Sequence, residues 1–120
     1  MPLTDSCVSL NPYFRFAPEQ RQALNILCED FVARTAIEEG CLFYGFSFTA
    51  DVLHCREGYR DAKGLLAHLE NVAEPLQQLL AMVEPIRVEV HGPATELALL
   101  RAPLAHFEAS FFVMEQGFRR

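Results

Sequence analysis

The stretch CLFYGFSFTADVLHCREGYRDAKGLLAHLEN, residues 41–71, changes its hydrophobic period part-way along and thereby decides the fold. Apolar side chains alternate with small or polar ones in residues 41–50, and DVLHCREGY follows almost at once. This pattern predicts two strands in a hairpin that turns at Ala50–Asp51. From Leu65 onward the apolar positions recur at helical steps, and Asp61 is the expected N-cap of this helix.

Similar patterns flank this unit on both sides. YFRFAP, residues 13–18, predicts a short first strand, and an amphipathic helix follows from Glu19. The second helix is predicted to run unbroken to Val83, and IRVEVHGP, residues 86–93, then alternates as a fourth strand with His91 in the turn after it. The order βαββαβ predicts a ferredoxin-like α+β sandwich, an antiparallel sheet with helices on one face.

The chain divides into three predicted parts. Residues 1–10 show no period and are expected to form an N-terminal arm, and residues 11–92 form the ferredoxin-like domain. Residues 93–120 form a C-terminal extension, with a helix that Pro103 breaks or kinks and a last strand. This extension is expected to pack on the domain or on a dimer partner.

Length and charge exclude several classes of function. The 120 residues suffice for one domain, and the net charge of −6 with scattered basic residues disfavours nucleic acid and anionic membranes as partners. No uncharged stretch approaches the roughly 20 residues that span a bilayer, so a cytoplasmic protein is expected. Four cysteines without metal-site spacing predict free thiols rather than disulfides or metal ligands.

Aromatic residues concentrate in the predicted strands. The chain has 10 Phe and 3 Tyr, and both faces of the strand in residues 41–50 carry apolar side chains. The sheet face turned away from the helices is therefore expected to need a cover. A homodimer with two sheets packed face to face would provide one.

Two motifs resemble the antibiotic biosynthesis monooxygenase (ABM) domain of the dimeric α/β-barrel superfamily. The family starts its second strand with a Gly-Cys-(Leu)-x-Tyr segment, which matches Gly40, Cys41, Leu42 and Tyr44. A second family run joins strand to helix and matches Glu57, Tyr59, Asp61, Gly64, Leu65 and His68. The resemblance covers residues 11–92 and implies a dimeric α/β barrel.

The resemblance also implies a chemistry without metal or flavin. Family members that oxidise hydroxylated aromatics rely on a deprotonated substrate that itself passes an electron to dioxygen. The protein then has to supply an apolar pocket and a base that titrates near neutrality. Haem-degrading relatives use a Trp and a His ligand at the positions that His68 and Gln78 occupy here, so the resemblance disfavours haem degradation.

The residues support two interpretations of the candidate site. In the catalytic one, His68 accepts a proton and Tyr59 donates one or lines the pocket, whose remaining lining residues are Tyr44, Phe46, Leu65 and Leu79. In the structural one, His68 is a buried histidine bound to backbone or carboxylate, and Tyr59 packs at the strand-to-helix joint beside a capping Glu57. Asn71 is expected at the surface.

Two functions follow from these interpretations. The first is a cofactor-independent monooxygenase acting on a small hydroxylated aromatic or a quinol. The second is a non-catalytic dimeric α/β-barrel protein that binds a small apolar ligand or has a structural or regulatory role, because the chain has no strong nucleophile, metal or phosphate motif. His54 and Arg56 lie on the strand face opposite Tyr59 and are expected to point toward a dimer partner.

Overall fold

The computed structural model describes residues 3–120, so Met1 and Pro2 of the predicted arm lie outside the described residues. The strands are β1 (Val8–Arg15), β2 (Cys41–Thr49), β3 (Val52–Tyr59), β4 (Glu84–Gly92) and β5 (Ser110–Val113). The helices are α1 (Arg21–Thr35), α2 (Ala62–Asn71), α3 (Ala73–Met82) and α4 (Ala94–Ala98), with 3₁₀ turns at Pro18–Gln20 and Ala105–Phe107.

One mixed sheet organises the chain in the order β2-β3-β1-β4-β5. The first four strands pair antiparallel, and β5 joins the edge of β4 in parallel. The ferredoxin-like α+β fold with an appended helix and strand is therefore confirmed. The hairpin between β2 and β3 turns at Ala50, whose φ of 38° lies in the left-handed region that tight turns use.

Four features differ from the sequence predictions. β1 begins at Val8, so the last residues of the predicted arm belong to the sheet. The second helix is two helices that meet at Val72, because Pro75 has no N–H to donate and its ring crowds the preceding turn. α4 ends at Ala98, well before Pro103, and His91 lies within β4 rather than in a turn.

The helices cover one face of the sheet and bury two hydrophobic clusters. α1 points its predicted apolar stripe at the sheet, with Leu24, Leu27 and Phe31 buried. The first cluster lies under α1 and α3, and it includes Phe14, Phe31 and Leu79. The second lies under α2 and the C-terminal extension, and its buried members are Val8, Leu10, Tyr59, Ala62, Leu65, Val90, Leu97, Leu100 and Leu104.

The opposite face of the sheet combines aromatic rings with small and polar side chains. His54 stacks on Tyr13 with ring centroids 4.1 Å apart, and Arg56 lies over the ring of Phe43. The rest of this face of β2 is small or polar, because Gly45 and Ser47 follow Phe43 on the same side. His54 and Arg56 thus lie on the predicted face, whereas the dimer that this face was expected to form stays a prediction.

Two further expectations concern the whole chain. All four cysteines are free thiols, as predicted. In the part of the chain that the structure describes, no helix combines the length and the apolar composition that a membrane crossing requires.

Candidate active site

A cavity of about 470 Å³ lies between the sheet and the α2–α3 pair. Its floor consists of side chains from four neighbouring strands. These are Tyr44 and Phe46 of β2, Cys55 and Glu57 of β3, Leu10, Pro12 and Phe14 of β1, and Ile86 and Val88 of β4. Its roof comes from His68 of α2 and from apolar residues of both helices. Volume and apolar lining are those of an ordinary small-molecule site.

His68 is held at the cavity by a carboxylate from a distant loop. Its Nδ1 lies 2.9 Å and 3.1 Å from the two carboxylate oxygens of Glu38, in the loop after α1. Only 3% of the His68 side chain and 11% of the Glu38 side chain are exposed. Because a carboxylate accepts, Nδ1 carries the proton and Nε2 keeps its lone pair.

The free nitrogen of His68 faces a second buried carboxyl group. Nε2 lies 3.5 Å from Oε1 of Glu57, whose side chain is 5% exposed. The hydroxyl of Tyr59 donates to that same Oε1 at 2.6 Å. His68 also packs between two tyrosine rings, with centroids 5.2 Å away for Tyr44 and 5.1 Å for Tyr59.

Burial shifts the pKa values of these two groups in opposite directions. The pKa of Glu57 is raised to about 7, mainly by burial and further by the charge of Glu38. Hydrogen bonds from Tyr59 and Cys55 act in the opposite direction and lower it. Burial lowers the pKa of His68, while the hydrogen bond and charge of Glu38 oppose that shift. At neutral pH the site therefore contains an unprotonated imidazole beside a carboxyl group that retains much of its proton.

Close backbone packing brings Glu38 to His68. Gly40 ends the loop and Gly64 lies in the first turn of α2, where a Cβ on Gly40 would come 3.0 Å from the Gly64 Cα. Two residues without side chains thus let the loop touch the helix. Asp61 is the N-cap of α2, as predicted, and accepts from the Gly64 N–H at 2.8 Å.

Asn71 completes the arrangement one turn after His68 on the same helix. Its Nδ2 donates to Glu38 Oε2 at 2.7 Å and to the Arg34 carbonyl at 2.9 Å. The expectation that Asn71 is a surface residue is wrong, because its side chain ties the loop to the helix. Asn71 thereby fixes the carboxylate that orients His68.

The structure separates the residues that the sequence proposed for the site. His68, Tyr44, Phe46 and Leu79 border the cavity, together with Glu57, which the sequence had suggested only as a cap. Tyr59 and Leu65 lie in the second cluster, beside the cavity lining. Tyr59 thus contacts the cavity through Glu57.

Replacing Asn71 by Ala tests this support. We expect a loss of about 1–2 kcal/mol in the free energy of unfolding, since two partly buried hydrogen bonds disappear, one of them to a carboxylate. Denaturant unfolding measures this loss. Glu70→Ala, at an exposed position one residue earlier, is the control and should change the unfolding free energy by less than about 0.5 kcal/mol. Equal losses in both variants contradict the bracing role of Asn71.

Comparisons with known proteins agree with this architecture. MupZ from Pseudomonas fluorescens is 43% identical, with a TM-score of 0.93 over 98% of this chain and 91% of that one. A "putative Antibiotic biosynthesis monooxygenase" from Chloroflexus aurantiacus J-10-fl superimposes with a TM-score of 0.60 at 20% identity, over 74% of this chain and 94% of its own. The chain therefore belongs to one family with MupZ, and its fold is that of the antibiotic biosynthesis monooxygenase (ABM) proteins.

Other comparisons concern the fold and leave the chemistry of the chain open. Rv0793 from Mycobacterium tuberculosis has a TM-score of 0.67 at 27% identity, over 73% of this chain and 95% of its own. No protein-family model matches the chain, and no curated protein sequence matches it. The likeness to the Chloroflexus protein shows the ABM fold, and the chemistry of this chain has to be argued from its own site.

Proposed function

We propose that this chain is a cofactor-independent monooxygenase acting on a small hydroxylated aromatic or a quinol. One observation carries the proposal: an oriented, unprotonated imidazole and a buried carboxyl group meet at one end of an apolar cavity. A carboxyl group whose burial disfavours its charged form is suited to give its proton to a bound substrate. The name of the Chloroflexus structure supports the same class of reaction.

The proposed reaction begins with proton transfer from the substrate. His68 Nε2 takes the proton of a substrate hydroxyl, and Glu38 stabilises the imidazolium that forms. The electron-rich anion then reduces dioxygen and forms a peroxide at carbon. The His68 imidazolium protonates the peroxide to a hydroperoxide, and the free Nε2 then takes the carbon-bound hydrogen as a proton while the O–O bond breaks to give a ketone or quinone. The departing hydroxide takes the proton of Glu57 and leaves as water, and His68 returns its proton to Glu57.

The other site residues have binding or positioning roles in this proposal. Tyr44, Phe46 and Leu79 bind the apolar body of the substrate. Tyr59 keeps its phenolic proton, because burial raises its pKa, and it orients Glu57 rather than meeting the substrate. Leu65 supports α2 from within the second cluster.

The acid and base pair also favours a second candidate, an acid–base reaction at a substrate oxygen without dioxygen. A base that removes one proton while an acid supplies another is sufficient for an addition, a ring closure or an isomerisation. The two candidates share the residue roles and differ only in the oxidant. Dioxygen dependence therefore distinguishes them.

The test is turnover of a panel of anthrones and naphthohydroquinones with and without dioxygen. We expect product formation that saturates with substrate concentration and stops under argon. When the reaction is run under ¹⁸O₂, each ketone product should contain one ¹⁸O atom. The uncatalysed oxidation rate is subtracted, and His68→Asn is the matched inactive variant. Equal rates under argon overturn the oxygenase and favour the non-oxidative candidate. Stoichiometric binding without turnover favours the ligand-binding alternative.

The proposal includes a cytoplasmic homodimer. The face of the sheet with His54 and Arg56 lies opposite the helices, where a second sheet would cover the stacked rings. Sedimentation or native mass spectrometry measures the oligomeric state directly. A monomer at micromolar concentration contradicts this part of the proposal.

A further inference from the structure

The C-terminal extension supplies one end of the cavity. His106, Phe107 and Glu108 border it beside the first half of β4, across the sheet from β2. Phe107 is partly buried and packs against the second cluster, while His106 and Glu108 are exposed. The apolar ring thus faces the cavity between two polar neighbours.

This turn is fixed on both sides. Leu97, Leu100 and Leu104 before it are at most 1% exposed in the second cluster. After it, Ser110 pairs with Glu89 in the β4–β5 ladder. Glu108 itself has a φ of 53°, a left-handed conformation that reverses the chain between these two anchors. Phe107 is therefore held in place at the cavity by anchored segments before and after it.

The lengths of two structural matches agree with an end wall that is added to the common fold. The Mycobacterium and Chloroflexus structures match 73% and 74% of this chain while using 95% and 94% of their own. Residues 93–120 make up about the share of this chain that those matches leave out. MupZ, in contrast, matches 98% of the chain.

We propose that Phe107 sets the maximum length of the ligand that the cavity accepts. β3, which carries Glu57, and β4 are two strand spacings apart, or about 10 Å. A ligand whose hydroxyl meets Glu57 and His68 therefore extends across β1 and reaches Ile86 and Phe107 with its far end. The residues on either side of that ring, His106 and Glu108, are polar and exposed. The apolar body of the ligand has to end at Phe107.

The test is calorimetric binding of 4-alkylphenols, from ethyl to octyl, to the full chain. In the wild type we expect affinity to rise about fourfold for each added methylene and then to stop rising at one chain length. Phe107→Ala should lengthen the longest alkyl chain that still adds affinity by about two methylenes. The alkylphenols of that added length should bind the variant about fifteenfold more tightly than they bind the wild type. Phe107→Trp should move the limit to shorter chains. Phe118→Ala, which changes a residue that is 71% exposed, is the control.

The readout is binding and so stands apart from catalysis. The same length limit in the wild type and both Phe107 variants overturns the inference, and so does a wild type that binds no member of the series. A limit that moves in opposite directions for Ala and Trp supports it, even where the anthrone and quinol panel shows no dioxygen-dependent turnover. Opposite shifts also rule out a general loss of folding as their cause.

Discussion

Replacing His68 by Asn should lower kcat/KM by about 10²- to 10⁴-fold, the usual contribution of a positioned general base. Asn keeps a donor near the position of Nδ1, so the contact with Glu38 at 2.9 Å can persist while the nitrogen at Nε2 is lost. Steady-state kinetics on the best substrate of the panel measure the effect. We expect the loss in kcat rather than in KM, because the variant removes a proton transfer and leaves the apolar walls in place.

Two further variants decide whether the effect is specific. Glu38→Gln leaves His68 intact but removes the charge that stabilises the imidazolium, so a smaller loss in kcat is expected. His91→Asn, on the other face of the sheet, is the control and should retain activity within about twofold. Turnover by His68→Asn at the wild-type rate would falsify the role of His68 as the base.

The sequence predicts those elements that depend only on residues close together along the chain. The hairpin turn at Ala50–Asp51, the buried face of α1 and the N-cap Asp61 all depend on residues a few positions apart. The break at Val72 was missed because the apolar stripe continues in phase from Leu65 to Leu79, although Pro75 was a sufficient signal. Periodicity reports which face is buried and is insensitive to a short interruption.

The candidate site could be predicted only in part. His68 was found because it lies beside the apolar stripe of a helix, a local property. Glu38 was missed because it follows α1 in an irregular loop and lies 30 residues from His68 along the chain. The signal was indirect: Gly40 and Gly64 allow the close contact between loop and helix that joins the pair. The cavity depends on how four strands and two helices fill space, which no single segment encodes.

Replacing Glu57 by Gln should stabilise the fold at pH 8 and lower activity about 10²-fold or more. The pKa of Glu57 is raised from its ordinary value of 4.5 to about 7. Because the folded pKa is the higher one, stabilisation by proton binding is fully present below pH 4.5 and is lost as the pH rises through 7. Gln has no proton to lose, and its carbonyl can still accept from Tyr59.

The two proteins should therefore diverge with pH. Near pH 4.5 the titration of Glu57 in the wild type should add little to the difference between their free energies of unfolding. At pH 8 the variant should gain up to about 3 kcal/mol over the wild type. Urea unfolding at several pH values measures this difference. A gain that stays constant from pH 4.5 to 8 indicates better packing of Gln and contradicts a raised pKa of Glu57.

The same group should limit activity on the alkaline side. If Glu57 supplies a proton, kcat/KM of the wild type decreases as the pH rises through about 7, because Glu57 loses its proton. At acidic pH kcat/KM also decreases, because His68 becomes protonated and can no longer act as the base. Tyr59→Phe removes the hydrogen bond that lowers the pKa of Glu57, so this variant should move the alkaline limb to higher pH. A limb that Tyr59→Phe leaves in place belongs to another group. A shifted limb shows that Tyr59 acts through Glu57, because a tyrosine that only packs at the joint would not change it.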